Sequence, residues 1–167
     1  MNTALGWLRA SGWAPAIVLA LSLAVTPCAG LIRRVRGTAP RGASSLRRAL
    51  GITAASLAIV HAIVAFGVYV PRPWFAVIRG VPWLISGALA LTVLVALLVT
   101  SFPAPTRALR VRAWKPLHRL TYVAALLVAH HLAVGPFAPR SWVVAWVAAV
   151  TFALALRAVS REPRVTE

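Results

Sequence analysis

Five long apolar stretches, separated by short segments rich in proline and arginine, organise this chain. They predict membrane-spanning helices at about residues 12–32, 49–70, 81–102, 117–135 and 141–159. Each stretch is close to the ~20 apolar residues that a helix needs to cross a bilayer, and none has a charge at its centre. We therefore expect an all-α, polytopic membrane bundle in which residues 1–167 form a single transmembrane domain.

The first stretch could be mistaken for a signal peptide. A signal peptide carries a basic amino-terminal region and a cleavage site of small residues. Here only Arg9 precedes the stretch, residues 26–30 (TPCAG) form a poor cleavage site, and the apolar run continues to Ile32. We expect a retained membrane helix.

Composition supports the membrane class. The 167 residues are 60% hydrophobic with a mean hydropathy of +0.83, whereas soluble domains are about 45–50% apolar. The net charge of +16 would indicate nucleic-acid binding in a soluble protein. The basic residues lie between the apolar stretches and not along one face, so we expect membrane lipid, and no nucleic acid, as the partner of these charges.

The acidic and thiol residues restrict the chemistry further. The only carboxylates are Glu162 and Glu167, both in the tail. No carboxylate proton relay, carboxylate-bridged metal centre or paired-acid hydrolase is therefore expected within the membrane. Cys28 is the only cysteine, which excludes an internal disulfide and a CxxC motif.

The basic residues are distributed unequally between the two sides of the predicted bundle. The segments after the first and third helices, together with the tail, carry most of them, whereas the opposite side holds only Arg9, Arg72, Arg79 and Arg140. Lysine and arginine accumulate on the cytoplasmic side of membrane proteins. We therefore expect the amino terminus outside and the carboxy terminus in the cytoplasm.

Two features near the predicted helix ends have simple interpretations. Tryptophans at these positions fit an interfacial aromatic belt, and we assign them no catalytic role; they are Trp7, Trp13, Trp74, Trp83, Trp114 and Trp142. The segment 71–80 is interpreted as a plain connection, with a short interfacial element as the alternative.

Four histidines lie in or at the ends of the apolar stretches: His61, His118, His130 and His131. Imidazole is costly in lipid, so such residues usually face the bundle interior and bind or relay something. His61 and His131 each lie about 13 residues from the cytoplasmic ends of their helices, which is roughly 20 Å at 1.5 Å per residue. The second and fourth helices therefore carry a histidine at similar depth.

Two imidazoles at one level, without a nearby carboxylate or thiolate, favour a bis-histidine haem in the bundle core. Zinc or copper bound by three or four histidines is an alternative, although His118 lies too far from the other three to share an ion with them. His130 and His131 point about 100° apart on a regular helix, so at most one should bind the same haem. The other could contact a propionate, a quinone or water, or could be an ordinary polar residue of the interface.

Three sequence segments resemble the ferric-reductase-like transmembrane family. They are residues 114–122 (WKPLHRLTY) followed by 126–131 (LLVAHH), residues 46–51 (LRRALG) followed by His61, and residues 23–27 (LAVTP). The resemblance covers about residues 20–135 and is most specific in the first of these segments. Within the family, the chain is most similar to haem-binding membrane subunits of periplasmic protein-methionine-sulfoxide reductase systems.

The resemblance implies a b-type haem protein of the bacterial inner membrane that acts as the electron-transfer subunit of an oxidoreductase system. Such a subunit takes electrons from the quinone pool or from a cytosolic flavin reductase, with FMN as a further possible cofactor. It passes them to a periplasmic molybdopterin enzyme that repairs oxidised methionine. By motif, His61 and His131 match the ligands of the outer haem, and His118 matches the inner histidine of the second ligand helix.

One departure from the family pattern concerns the inner site. Ferric reductases carry a second histidine 13 or 14 residues before the one that matches His61, and this chain has Arg47 and Arg48 there. One haem is therefore expected, and a second haem bound by His118 is the alternative, although this second site would lack an obvious partner histidine. The two arginines could meet haem propionates, a flavin phosphate or an acidic partner, or simply lipid headgroups. No GxGxxG motif is present, so nicotinamide chemistry is expected of a separate protein.

Two other functions stay open at the level of sequence. The first is a stand-alone, quinone-linked membrane cytochrome that reduces ferric iron or handles superoxide. The second is a membrane protein without redox function whose histidines are merely packed.

Overall fold

The computed structural model describes residues 3–108 and 110–159, without side-chain positions for residues 3–5, 106–112 and 115. The tail residues Glu162 and Glu167 lie outside this range, as do Arg161 and Arg164. Within it the chain is helical, and five helices are long and apolar enough to cross a membrane. The expected polytopic helical membrane protein is confirmed.

The described helices number seven and succeed one another with short connections. They are α1 (Thr3–Arg36), α2 (Ala43–Val64, continued by a π-helical turn at Ala65–Tyr69), α3 (Trp74–Gly80), α4 (Pro82–Val99), α5 (Pro103–Ala108), α6 (Arg110–Val134) and α7 (Arg140–Val159). The spanning helices are α1, α2, α4, α6 and α7. Short helices occupy two connections, so the interpretation of segment 71–80 as a plain connection is corrected to a seven-residue helix, α3.

The ends of the helices follow local chemistry. Gly42 has φ of 82° and begins α2, a left-handed conformation that glycine adopts without steric cost. Pro82 occupies the first turn of α4, where its missing N–H would have had no helical partner. The first helix extends beyond the predicted 12–32 at both ends, because the polar and basic residues that flank the apolar stretch are helical too.

Two helical hairpins form the body of the bundle. Helix α1 packs along α2, α4 packs along α6, and α7 covers α1. Small residues lie where the helices cross: Ala54, Ala55 and Ala124 are fully buried beside Leu19 and Leu94. Small side chains let helix backbones approach closely in a bilayer, where there is no hydrophobic driving force between helices.

Helix α7 is attached through a second cluster. Trp146 is buried there against Leu23, Leu132 and Val150, and its indole N–H donates to the carbonyl oxygen of Ala16 on α1 at 2.7 Å. This contact joins α7 to α1, which carries part of the site described next.

Candidate haem site

His61 and His131 face each other across the bundle. His61 projects from α2 and His131 from α6, and their ring centroids are 6.4 Å apart with the planes inclined by 75°. Both side chains are half-buried. The structure therefore brings together the two histidines that the sequence placed at one depth.

This separation matches the span of two imidazoles bound to one metal ion. A metal-bound imidazole nitrogen lies about 2 Å from the ion and about 1 Å from its own ring centroid, so two such rings on opposite sides have centroids about 6 Å apart. The observed 6.4 Å between His61 and His131 fits a single ion between them.

Hydrogen bonds leave the Nε2 atom of each ring available. The Nδ1 atom of His131 lies 2.7 Å from the carbonyl oxygen of Trp83, which can only accept, so Nδ1 carries the proton. The Nδ1 atom of His61 lies 3.1 Å from the Ser11 hydroxyl, whose own proton is donated to the carbonyl of Leu8 at 3.0 Å. With the Ser11 proton on the Leu8 carbonyl, His61 donates from Nδ1, and both rings then keep a lone pair on Nε2, as metal-binding histidines do.

An apolar cavity of about 330 Å³ adjoins the two rings. Its lining includes Gly12, Ala58, Phe66, Trp83 and Leu94. Cofactor pockets of about 300–1,000 Å³ are typically lined by apolar side chains with few convergent polar groups. The two histidines are such groups, so the pocket fits a flat apolar ring system with a central metal.

The two histidines favour a metal ion whose other ligands come from a cofactor and not from the protein. Among residues 3–108 and 110–159, no group of three or more His, Cys, Asp or Glu side chains is placed to hold an ion. The zinc or copper site considered from the sequence needs three or four protein ligands and lacks them here. A porphyrin supplies four nitrogen ligands to its iron, so His61 and His131 would be sufficient to hold a haem.

His130 points away from this pair. Its side chain is exposed, and its Nδ1 atom lies 3.0 Å from the hydroxyl of the buried Ser86 on α4. The hydroxyl in turn donates to the carbonyl of Trp83 at 3.0 Å, which is the same oxygen that accepts from His131. His130 thus contacts the site through α4 and does not face the cavity.

His118 lies near the other end of α6 in a separate environment. Its ring stacks on Trp114 with centroids 4.1 Å apart, and its Nε2 atom is 3.4 Å from the hydroxyl of Thr100. The 13 residues between His118 and His131 correspond to roughly 20 Å of helix. The structure does not bring His118 to the other histidines.

Arg47 and Arg48 differ in their surroundings although they are adjacent. Arg47 is half-buried in α2, where its backbone carbonyl accepts from the Ser22 hydroxyl at 3.2 Å, and it lies close enough to His118 for their charges to interact. Arg48 is exposed. Of these two arginines, Arg47 is the one placed to influence the inner histidine.

The sequence interpretation missed several residues of the site. Ser11, Gly12, Trp83, Ser86 and Gly87 all contact the histidines. Trp83 was assigned only to an aromatic belt. A Ser-Gly dipeptide that precedes each histidine helix was the one signal that could have identified the serines and glycines.

The profile of the family described as ferric reductase like transmembrane component matches residues 11–129. The chain belongs to this family. The expectation from the sequence is thus confirmed, and the matched residues include α2 with His61 and most of α6. His130 and His131 follow directly after the matched residues.

A comparison with curated proteins gives a relative from the same kind of system. The "Protein-methionine-sulfoxide reductase heme-binding subunit MsrQ" of Deinococcus radiodurans is 36% identical over 121 residues. The alignment covers 69% of this chain and 55% of the relative, so the chain spans about half the length of that protein.

Proposed function

We propose that this protein is a membrane electron-transfer subunit that holds one b-type haem between His61 and His131. It supplies electrons to the catalytic subunit of a protein-methionine-sulfoxide reductase system. The relative from Deinococcus radiodurans, which is named as a haem-binding subunit of such a system, supports the physiological part of this proposal.

The observation that carries the proposal is the pair of facing imidazoles. Their ring centroids are 6.4 Å apart and both Nδ1 atoms have hydrogen-bond partners, so the two imidazoles would hold the iron of a haem through their Nε2 atoms. When bound, a haem with two histidine ligands supplies one-electron transfer and leaves no open position for oxygen. The chain's own residues orient the imidazoles and exclude water through the apolar lining.

The direction of electron flow follows the expected orientation. The histidine pair then lies in the outer half of the membrane, near a periplasmic molybdopterin-containing partner. The opposite end, with Arg47, Arg48 and His118, faces the cytoplasm, where quinol or a flavin reductase would donate. Guanidinium groups there suit a phosphate or carboxylate of a donor such as FMN. The proposed location is the bacterial inner membrane.

The function is tested by reoxidation of the reduced protein. The purified subunit is reduced in lipid nanodiscs under anaerobic conditions and mixed with the catalytic subunit of a methionine-sulfoxide reductase system and a methionine-sulfoxide peptide. We expect the α band of the reduced haem to be lost only when both additions are present. Reoxidation by ferric chelate or superoxide alone, with no effect of the catalytic subunit, would favour the stand-alone cytochrome.

We expect His118→Ala to leave the haem content unchanged. His118 is held by Trp114 and Thr100 and has an arginine where a second axial histidine would be needed. The pyridine haemochrome assay per polypeptide measures this, with the wild-type protein as control. A loss of half of the haem would instead indicate a second haem at the inner end.

We expect a carboxy-terminal alkaline phosphatase fusion to be inactive and a carboxy-terminal green fluorescent protein fusion to be fluorescent. The basic segment after α1 and the tail hold this side in the cytoplasm. A phosphatase fused after Arg79, in the segment between α2 and α4, is the matched control and should be active. The reverse pattern would invert the topology and the proposed direction of electron flow.

A further inference from the structure

The Ser-Gly dipeptide occurs twice in this chain, at Ser11-Gly12 in α1 and at Ser86-Gly87 in α4. Each lies on the first helix of a hairpin, opposite the histidines of the second helix. In both, the serine hydroxyl donates to the carbonyl three residues earlier, at 3.0 Å. The two hairpins therefore place the same Ser-Gly arrangement on the two sides of the site.

The glycines let the imidazoles lie directly against the helix backbones. A Cβ atom at Gly12 would lie 3.0 Å from Cε1 of His61. A Cβ atom at Gly87 would lie 2.7 Å from Nδ1 and 2.8 Å from Cε1 of His131. Any side chain at Gly87 would therefore displace the ring, whereas one at Gly12 would press on it.

The serines differ in what they do to the rings. The Ser11 hydroxyl lies 3.1 Å from Nδ1 of His61 and, with its own proton on the Leu8 carbonyl, is the acceptor for Nδ1–H. Ser86 instead shares an acceptor with His131, because both donate to the carbonyl oxygen of Trp83. The Ser86 hydroxyl also lies 3.0 Å from Nδ1 of His130 and, with its single proton on the Trp83 carbonyl, accepts from Nδ1–H of that ring.

We propose that the two Ser-Gly pairs are positioning residues for the axial histidines, and that His130 acts on His131 through Ser86 and the Trp83 carbonyl. This inference rests on the proposed haem ligation. The glycines set the rotation of each ring and the hydrogen bonds set its basicity. His130 thus has a role that does not require contact with the haem.

The hydrogen bonds predict opposite effects for the two serines. An acceptor on Nδ1–H makes a ligand histidine more basic, which stabilises oxidised iron. Ser11→Ala removes the acceptor of His61, so the midpoint potential should rise. Ser86→Ala removes a competitor for the Trp83 carbonyl, which then accepts more strongly from His131, so the potential should fall.

The hydrogen bond from His130 to Ser86 has a smaller effect on the midpoint potential. Donation from His130 polarises the Ser86 hydroxyl and makes it a better donor to the carbonyl, because linked hydrogen bonds reinforce one another. His130→Ala should therefore shift the potential in the same direction as Ser86→Ala but by less.

The experiment is a spectroelectrochemical titration of the purified haem-loaded variants, combined with electron paramagnetic resonance of the ferric protein. We expect both serine variants to keep their haem, to shift the low-spin signal and to move the midpoint potential in opposite directions. Ser11→Thr, which keeps a hydroxyl, should restore the wild-type potential. Ser56→Ala, at an exposed position on α2, is the matched control.

The glycines are tested independently by haem content. Gly87→Ala should lower it strongly and Gly12→Ala less, whereas Gly6→Ala, whose Cβ atom would have no neighbour within 4 Å, should not change it. If Gly87→Ala does not insert into the membrane, the inference is tested by the midpoint potentials of Ser11→Ala and Ser86→Ala alone. The inference would be overturned if the midpoint potentials of Ser11→Ala and Ser86→Ala shifted in the same direction or equalled that of Ser56→Ala. The proposed haem ligation would then still stand. A wild-type protein without haem would overturn both.

Discussion

Alanine at either His61 or His131 is expected to give a protein that still inserts into the membrane but loses its haem. Each ring supplies one of two axial ligands, and their centroids lie 6.4 Å apart across the cavity. The apolar lining offers few other polar groups that could replace a lost imidazole. Because loss of an outer-shell partner alone weakens metal binding by about 10–100-fold, loss of a ligand should reduce haem affinity by at least that much.

Haem per polypeptide, measured on detergent-purified protein from haem-replete cells, checks this expectation. His130→Ala is the most stringent control, since it removes the neighbouring imidazole from the same helix and should retain haem. Retention in His131→Ala with loss in His130→Ala would reverse the ligand assignment. Residual haem in either single ligand variant should bind carbon monoxide rapidly after reduction, because one axial position is then open.

Trp146→Ala is expected to destabilise the bundle by about 3–5 kcal/mol, the usual cost of deleting a large buried aromatic side chain. The indole fills the cluster that joins α1, α6 and α7, and it donates to the Ala16 carbonyl at 2.7 Å. Leu132, which packs in the same cluster, is adjacent to His131. The loss should therefore reach the site as a lower temperature of haem release.

Thermal unfolding in detergent, followed by haem absorbance and by helical circular dichroism, measures this effect. Trp146→Phe keeps most of the ring and should cost about 1 kcal/mol through the lost hydrogen bond. Phe152→Ala is the matched control on α7, because Phe152 is 66% exposed and faces outward. An equal loss of stability in Trp146→Ala and Phe152→Ala would contradict the packing described for α7.

The spanning helices and the common depth of His61 and His131 could be predicted from the sequence. Apolar length determines the spans, and a rise of 1.5 Å per residue sets relative depth along a helix. Counting residues does not give the rotation of each helix about its axis. The choice between His130 and His131 depends on this rotation, which packing against α4 determines.

The supporting residues were harder to predict for a related reason. Ser11 and Gly12 lie at the boundary of the predicted first helix, because polar residues and Arg9 weaken the apolar pattern there, yet α1 continues through them. The acceptor for His131 is the backbone carbonyl of Trp83. Every residue has such a carbonyl, so the amino-acid sequence does not show which one accepts. Only the repeated Ser-Gly dipeptide was visible in the sequence, and its meaning depends on which helices pair.

The ratio of haem to polypeptide, determined together with the reduced-minus-oxidised spectrum of the wild-type protein, tests the central claim most directly. We expect one haem per chain and an α band typical of b-type haem with two histidine ligands. A colourless preparation from haem-replete cells would contradict the claim and leave His61 and His131 as packed residues of a membrane protein without redox function.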